Sequence, residues 1–539
     1  MKPYYQDDVV TLRHGDCLDV LRADDYGYDW NLGYRSARMF PDNSVDAVIT
    51  DPPYGIAFMG KAWDQPGEFG SNRLRTGGEN KIRGHKDAAL NAGLYDLSPA
   101  AMLNFQRWCT AWATECLRIL KPGGHLLAFG GSRTWHRLAA GIEDAGFAVR
   151  DSIAWLYGSG FPKSLDVSKA IDKRPGAVHH REFALHLAER REAAGLSRAD
   201  VSERIVGTRS GACWNWEHHQ FPEAKWWPAL RDLLGMDGAA WDPVIAEAER
   251  EKTGQRIATK LAVAPGQGAD RSGVTLDLTA PTTDAAKQWQ GWGTALKPSF
   301  EPIVVARKPL AGTVAQNVLE HGTGALNIDA CRIPTGDKLG GGSTTRGQRM
   351  KDGWHRPWMD DPDMVAANAE RSRASVARSE ELGRWPTNVV LDERQADALD
   401  QQSGTSTSRV GKPRGAASGA GWGMTATGAE YADEGGASRF FPVFRYEAKA
   451  PTSERPNADG VQHPTVKPLD LMRWLVRLVT PVGAVVLEPF AGSGTTAEAC
   501  VLEDRRCIAI EREADYLPLI VSRLQKPVQQ GLFGLEAGA

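Results

Sequence analysis

Two short segments carry residue types that could do chemistry. The first is Asp51-Pro52-Pro53-Tyr54. Two successive prolines stiffen the backbone and remove two N–H donors. What remains is one carboxylate and a row of carbonyls, all acceptors, beside an aromatic ring. Such a site suits a flat ligand with an exocyclic amine: the amine donates to Asp51 and to a proline carbonyl, while Tyr54 stacks on the ring. The second segment is Glu488-Pro489-Phe490-Ala491-Gly492-Ser493-Gly494-Thr495-Thr496. Glycines after a strand let backbone approach a ligand closely, and a following helix N-terminus favours polar or anionic groups. Glu511 closes the next apolar run, where a carboxylate can accept from both ribose hydroxyls of a nucleoside cofactor. No Lys-Ser/Thr follows the glycines with P-loop spacing, which disfavours ATP.

The elements around these segments must place them. Residues 45–50 (VDAVIT) read as a buried strand opening into Asp51. Residues 98–120 read as a helix, with Ser98 as N-cap and Pro99 at its first position. Lys121-Pro122-Gly123-Gly124 stops it. Residues 125–131 and 147–157 are strands, with a helix over 132–145. Alternating strands and helices imply a parallel α/β sheet. Residues 302–307 are another strand. Residues 336–384 and 402–439 are Gly-, Ser-, Thr- and Arg-rich and read as irregular loops. Order returns with a strand at 440–450, a helix at 467–480 and a strand at 484–487. A helix then runs to Leu502, followed by a strand at 507–511 and a helix at 513–524. Residues 24–38 read as a surface insertion.

The chain has 539 residues, 42% hydrophobic and 24% charged, which argues against disorder and fibrous repeats. Seven scattered cysteines with no CxxC pair predict reduced thiols and no metal site. The N-terminus has no apolar leader core and no run suits a membrane span, so the expected location is the cytoplasm. The net charge of −3 argues against DNA only as an average. Residues 1–60 hold five basic and ten acidic side chains. By contrast, residues 73–86 hold five basic ones (Arg73, Arg75, Lys81, Arg83, Lys86) against Glu79. Residues 403–429 hold Arg409, Lys412 and Arg414 with no acid. These two basic stretches are candidates for phosphate contact on either side of a bound base.

With both motifs in view, the sequence resembles the amino-group DNA methyltransferases that use S-adenosylmethionine. In that family D/N/S-PPY/F/W is catalytic and FxGxG binds the cofactor. Gly15-Asp16-Cys17-Leu18 resembles the segment whose Asp contacts the cofactor's adenine. His463-Pro464-Thr465-Val466-Lys467-Pro468 resembles the motif closing the methionine side of the pocket. The catalytic motif precedes the cofactor motif, which is the β-class order. The resemblance covers residues 8–170 and 285–525. It implies a Rossmann-like class I methyltransferase sheet with helices on both faces, a helical insert and long irregular target-recognition loops.

The resemblance also implies catalysis by Asp51, Pro52, Pro53 and Tyr54. The cofactor residues would be Asp16, Cys17, Lys467, Glu488, Pro489, Phe490, Ala491, Gly492, Ser493, Gly494, Thr495 and Glu511. Glu488 departs from the commoner Asp. The implied reaction is direct methyl transfer to a base flipped out of duplex DNA. DPPY favours N6 of adenine over N4 of cytosine, where SPPY is commoner. Pro-Cys is absent, which disfavours carbon methylation. A protein-amide N-methyltransferase, a group that often carries NPPY, and an inactive DNA-binding regulator are the alternatives. A homodimer is left open, and a solitary enzyme of phage origin fits the lack of a nuclease motif.

Within the middle region, residues 185–234 resemble a repressor-type helix-turn-helix. A first helix ends in Gly195-Leu196-Ser197, a short helix follows, and Gly207-Thr208-Arg209-Ser210 forms the turn. A further helix carries Trp214-Asn215-Trp216-Glu217. The resemblance implies that Thr208, Arg209, Ser210, Ala212 and Asn215 face the major groove. The competing reading is a helical spacer whose tryptophans form a small core. The expected organisation is therefore 1–175 (first part of the methyltransferase domain), 176–245 (insert), 246–284 (linker), 285–450 (return to the sheet with recognition loops), 451–530 (cofactor part) and 531–539 (tail).

Overall fold

The computed structural model describes residues 2–29, 33–56, 64, 97–158, 164–172, 178–248, 252–257, 275–281, 284–335, 361–407, 434–444, 461, 463 and 465–525. The chain divides into two compact units, Met1–Ser159 with Ser299–Ala539, and Gly160–Pro298.

In the first unit, ten strands form one sheet: β1 (Tyr5–Gln6), β2 (Val10–His14), β5 (Val45–Thr50), β6 (Leu120–Phe129), β7 (Ala148–Leu156), β10 (Phe300–Arg307), β11 (Val389–Asp392), β14 (Val443–Phe444), β15 (Val485–Glu488) and β16 (Arg506–Glu511). Their order is β1-β2-β16-β15-β5-β6-β10-β7-β11-β14. Among the described residues, three two-stranded pairs stand outside this sheet: β3 (Asp24–Asp29) with β4 (Gly33–Arg38) and β12 (Ser406–Thr407) with β13 (Glu434–Gly435) in the first unit, and β8 (Lys252–Ile257) with β9 (Thr275–Thr279) in the second. Within the insertion expected at 24–38, Asp24–Asp29 and Gly33–Arg38 pair antiparallel.

The expected α/β sheet with helices on both faces is present, but the parallel arrangement holds for only part of it. Strands β2, β16, β15, β5 and β6 are parallel, but β10 runs antiparallel to both β6 and β7. This reversal places the start of β10 at the edge where its parallel neighbours end. The strand expected from residue 125 begins at Leu120, so Lys121-Pro122-Gly123-Gly124 lies inside β6, where the register to β5 shifts.

Helices cover both faces because strand residues alternate between two cores. Ala47 and Ile49 join Trp474, Leu475 and Ile520, from helices Leu469–Val479 and Leu517–Leu524. Val48 joins Phe105, Trp112, Cys116 and Leu138, from helices Pro99–Ile119 and Trp135–Asp144. Fully burying such large side chains stabilises by roughly 1.5–3 kcal/mol each. Helix Pro99–Ile119 starts as expected: the Ser98 hydroxyl accepts from Ala101 N–H and Pro99 opens the first turn.

One expected loop is a helix. Residues 362–382, read as irregular, form Pro362–Leu382. Its sequence, PDMVAANAERSRASVARSEEL, is rich in Ala, Arg and Glu, which favour helix without any apolar stripe. The missing periodicity hid it. The expected strand at 440–450 is shorter: Phe440 closes a 3-10 turn over Ala437–Phe440, only Val443–Phe444 is strand, and residues 445–450 lie outside the described residues.

The second unit contains helices Val178–Ala193, Arg198–Val206, Ala212–His218, Trp227–Leu234 and Gly238–Ala248. Its ends are tied together: Val167 N–H donates to Trp292 O and Leu165 N–H to Thr294 Oγ1. Ser197 and Asp200 form a capping box at the start of Arg198–Val206, and Gly207 ends that helix at φ +82°. Phe183, Leu187, Val201, Ile205, Cys213, Trp216, Trp227 and Leu230 form its core.

Candidate active site

The edge where β2, β16, β15 and β5 end carries four acidic positions in spatial order. Asp16 follows β2, Glu511 ends β16, Glu488 ends β15 and Asp51 follows β5. Parallel pairing forces this. Val486 lies beside Ala47 and Leu487 beside Val48, so the segments after β15 and β5 emerge together. In open α/β sheets the crevice beyond the carboxyl ends, where strand order reverses, is the ligand position. Here it falls between β15, whose chain continues to β16, and β5, whose chain continues to β6.

Glu488 joins the two segments. Its Oε1 accepts from Thr50 Oγ1 at 2.5 Å and from Phe490 N–H at 3.0 Å. Its Oε2 accepts from Thr496 Oγ1 at 2.6 Å. Burial pushes this carboxyl up to about 8, against the pull of the Thr496, Thr50 and Phe490 hydrogen bonds. The departure from Asp thus gives a side chain that braces the Asp51 strand against the glycine turn.

Glu511 is also buried. Its Oε2 accepts from Gly492 N–H and its Oε1 from Glu513 N–H, both at 2.7 Å. Burial raises it to about 7 despite these two amides. Gly492 has φ +52° and Gly494 has φ +76°. A Cβ on Gly492 would lie 3.1 Å from His463 Nε2, so only glycine leaves the turn open there. Phe490 rests against Trp108 and Trp112, each ring centroid at 5.6 Å. Ala491 N–H donates to Ile510 O, Pro489 lies in the turn between strand and glycines, and Ser493 Oγ pairs with Thr495 Oγ1 at 2.9 Å. Asp16 caps helix Cys17–Arg22 by accepting from Leu18 N–H. Cys17 is packed into the core, where burial raises its thiol; its side chain serves packing.

At Asp51 the structure brings together residues far apart in the chain. Tyr54 Oη donates to Asp51 Oδ1 at 2.9 Å. Lys467 Nζ donates to Asp51 Oδ2 at 2.7 Å. Lys467, linked by resemblance to the cofactor, thus pairs directly with the proposed catalytic carboxylate. Glu301, which sequence reading missed, lies 3.3 Å from Lys467 Nζ and 3.2 Å from Tyr54 Oη through its Oε2. It reaches the site because β10 is antiparallel. The available signal was an acid at the head of an apolar strand, Glu301 before Pro302-Ile303-Val304-Val305.

Burial first, then Asp51 and Glu301, push the Tyr54 hydroxyl well above its ordinary value, so it is a neutral donor. Burial opposes charge on Lys467, but Asp51 and Glu301 outweigh it and hold the ammonium protonated. Burial raises Glu301, against the pull of Lys467. Lys467 Nζ also lies 4.9 Å from the Phe129 ring centroid, a cation–π distance. Thr134 Oγ1 donates to Tyr54 O, which anchors the proline loop. A Cβ on Gly131 would come 3.1 Å from the Tyr54 ring, so the glycine, just past the end of β6, leaves room for that ring. Pro52 is buried and Pro53 half-buried.

In the second unit, Thr208, Arg209, Ser210 and Asn215 are all exposed. Arg209 is held by Asp200 at 2.9 Å. Trp216 and Trp227 are core residues, whereas Trp214 is exposed and stacked on His218 at 4.6 Å. The basic candidates Arg73, Arg75, Lys81, Arg83, Arg409, Lys412 and Arg414 lie outside the described residues. Among the described residues no helix is long and apolar enough to cross a membrane.

Comparison with known proteins bears on this geometry. The chain is 29% identical to the type II methyltransferase M.HindIII of Haemophilus influenzae over 138 residues, 24% of this chain and 43% of that protein. It is 47% identical to M2.MboI of Moraxella bovis over 58 residues, 11% of this chain and 21% of that protein. The matches therefore span less than half the length of these curated relatives. Among solved structures, the M1.HpyAVI–SAM complex aligns over 96% of this chain and 99% of that one, at 12% identity and a TM-score of 0.31. The N6_N4_Mtase family, described as DNA methylase, matches residues 45–193 and 271–522, which include Asp51, Glu301, Lys467 and the glycine turn. That match spans about three quarters of the sequence, and the chain belongs to the DNA methylase family.

Proposed function

We propose that this protein transfers a methyl group from S-adenosylmethionine to N6 of adenine in duplex DNA, with the base flipped out of the helix. The observation that carries the reading is the joining of two motifs by Glu488: the acceptor-rich Asp51 loop and the open glycine turn end adjacent parallel strands. Gly492, whose missing Cβ leaves room beside His463, fits a closely approaching cofactor. Asp16, Phe490, Gly492, Gly494 and Glu511 would hold it, with Pro489, Ala491, Ser493 and Thr495 shaping the turn. When bound, the cofactor supplies an electrophilic methyl group.

The chain's own part is positional. Asp51 and the Pro52 carbonyl accept from the exocyclic amine, which turns the nitrogen lone pair away from its own N–H bonds and towards the methyl donor. Tyr54 stacks on the base and, through its hydroxyl, fixes the Asp51 carboxylate. Pro53 keeps the loop rigid. Positioning and preorganised acceptors account for the rate, and no covalent enzyme intermediate is needed. The aspartate of DPPY supports adenine over cytosine. Thr208, Arg209, Ser210 and Asn215 offer exposed groups for DNA in a helix-turn-helix reading of the second unit.

The test uses purified protein, labelled S-adenosylmethionine and duplex DNA amplified in vitro, followed by nucleoside analysis. Label on N6-methyladenine is expected, with Asp51→Ala lowering transfer by about a hundredfold or more. Label on cytosine would replace the base assignment. Label on protein but not on DNA would remove the DNA reading altogether.

A further inference from the structure

The site holds one ammonium and two carboxylates. Lys467 Nζ lies 2.7 Å from Asp51 Oδ2 and 3.3 Å from Glu301 Oε2. Tyr54 Oη bridges the same two groups, 2.9 Å from Asp51 Oδ1 and 3.2 Å from Glu301 Oε2, and has a single proton to give. Lys467 Nζ also donates to Tyr54 Oη at 3.2 Å. Each donor therefore has its nearest partner on Asp51 and a longer contact to Glu301. Both Asp51 oxygens are engaged, one of them by a charge-assisted bond, which is the stronger kind. A target amine must compete for that oxygen.

We propose that Glu301 is a positioning residue that takes Lys467 from Asp51 when the target amine docks, leaving Asp51 Oδ2 to accept from the amine. The proposal rests on the methyltransferase reading above. Lys467 is mostly buried, with a side chain 11% exposed, so an ammonium displaced without a second carboxylate would be left uncompensated in a poorly solvated place. Glu301 removes that obstacle. The ammonium shifts between two partners it already touches, and the Phe129 ring lies under it. No bond to hydrogen is broken; one hydrogen bond from Lys467 is exchanged for another.

Charge counting makes the idea testable. With both carboxylates ionised and Lys467 protonated, the three groups carry a formal charge of −1. Glu301→Gln brings the set to 0 and strands Lys467 on Asp51. Lys467→Met brings it to −2 and sets two carboxylates against each other. The double variant returns to −1, with Asp51 Oδ2 released from Lys467 and Oδ1 still accepting from Tyr54. Initial rates are measured at saturating S-adenosylmethionine against duplex DNA amplified in vitro. Cofactor affinity is measured by calorimetry, DNA affinity by anisotropy, and folding by thermal melting.

Each single variant is expected to lower kcat at least tenfold, and Glu301→Gln to do so with cofactor and DNA affinities within threefold of the wild type. The double variant is expected to be faster than either single one. A Glu301→Gln protein with wild-type kcat, or a double variant no faster than the faster single one, overturns the proposal. If Glu301→Gln melts out, Glu301→Asp, which keeps the charge but retracts it, must lower kcat in the same way with cofactor affinity held; a wild-type rate refutes the role. Wild-type protein that methylates no DNA refutes the underlying reading, and that outcome is distinct from any difference among variants.

Discussion

Asp51 and Glu511 illustrate how much one carboxylate's role depends on what surrounds it. Asp51 is half-exposed and meets Lys467 and Tyr54, so it presents a fixed acceptor. Glu511 is buried and accepts from two backbone amides, yet burial still lifts it to about 7. That value has a consequence for cofactor binding. If ribose hydroxyls donate to Glu511, the ionised form binds and the protonated form does not. Affinity should then rise with pH through 7 and level off above it. Calorimetry is expected to show S-adenosylmethionine bound about tenfold more weakly at pH 6 than at pH 8. Glu511→Gln should abolish the dependence while weakening binding at pH 8; an unchanged slope in that variant would separate Glu511 from the cofactor.

Elements decide which of these residues meet. Strands β16, β15 and β5 were legible in the sequence as short apolar runs, whereas β2 was not read as a strand; the parallel pairing of all four gathers Asp16, Glu511, Glu488 and Asp51 at one edge. Strand β10 was legible too, but not its direction. An antiparallel neighbour delivers its first residues, not its last, to that edge, so Glu301 escaped notice. Helix Pro362–Leu382 escaped for a different reason, since it has helix-forming composition without an apolar stripe. In the second unit, the capping box at Ser197 and the turn at Gly207 set Thr208, Arg209 and Ser210 in the open. In the helix-turn-helix reading, Arg209→Ala and Asn215→Ala should each weaken binding of target DNA by about 1–3 kcal/mol. Anisotropy titrations against target and scrambled duplexes would check this. Equal losses on both duplexes would assign these side chains to phosphate, and no loss would remove them from DNA recognition.

For the whole molecule, the net charge of −3 is an average over unlike parts. The first sixty residues are acidic, while the basic stretches at 73–86 and 403–429 carry the candidate phosphate contacts. With at most eight such contacts from these stretches, the slope of log affinity on log salt should be no steeper than about −7. Deleting residues 181–236 should weaken DNA binding and leave cofactor affinity unchanged, since the cofactor candidates all lie in the other unit. Equal DNA affinity after deletion would make that unit a spacer. The sequence by itself determined the chemistry on offer. Asp-Pro-Pro-Tyr after an apolar run and a glycine turn before a helix are local statements, readable because prolines, glycines and strand ends act over a few residues. Tertiary structure decided the company these groups keep. Lys467 and Glu301 stand 416 and 250 positions from Asp51 along the chain. Only the sheet's strand order, and the reversal of one strand within it, brings their charges to the same carboxylate.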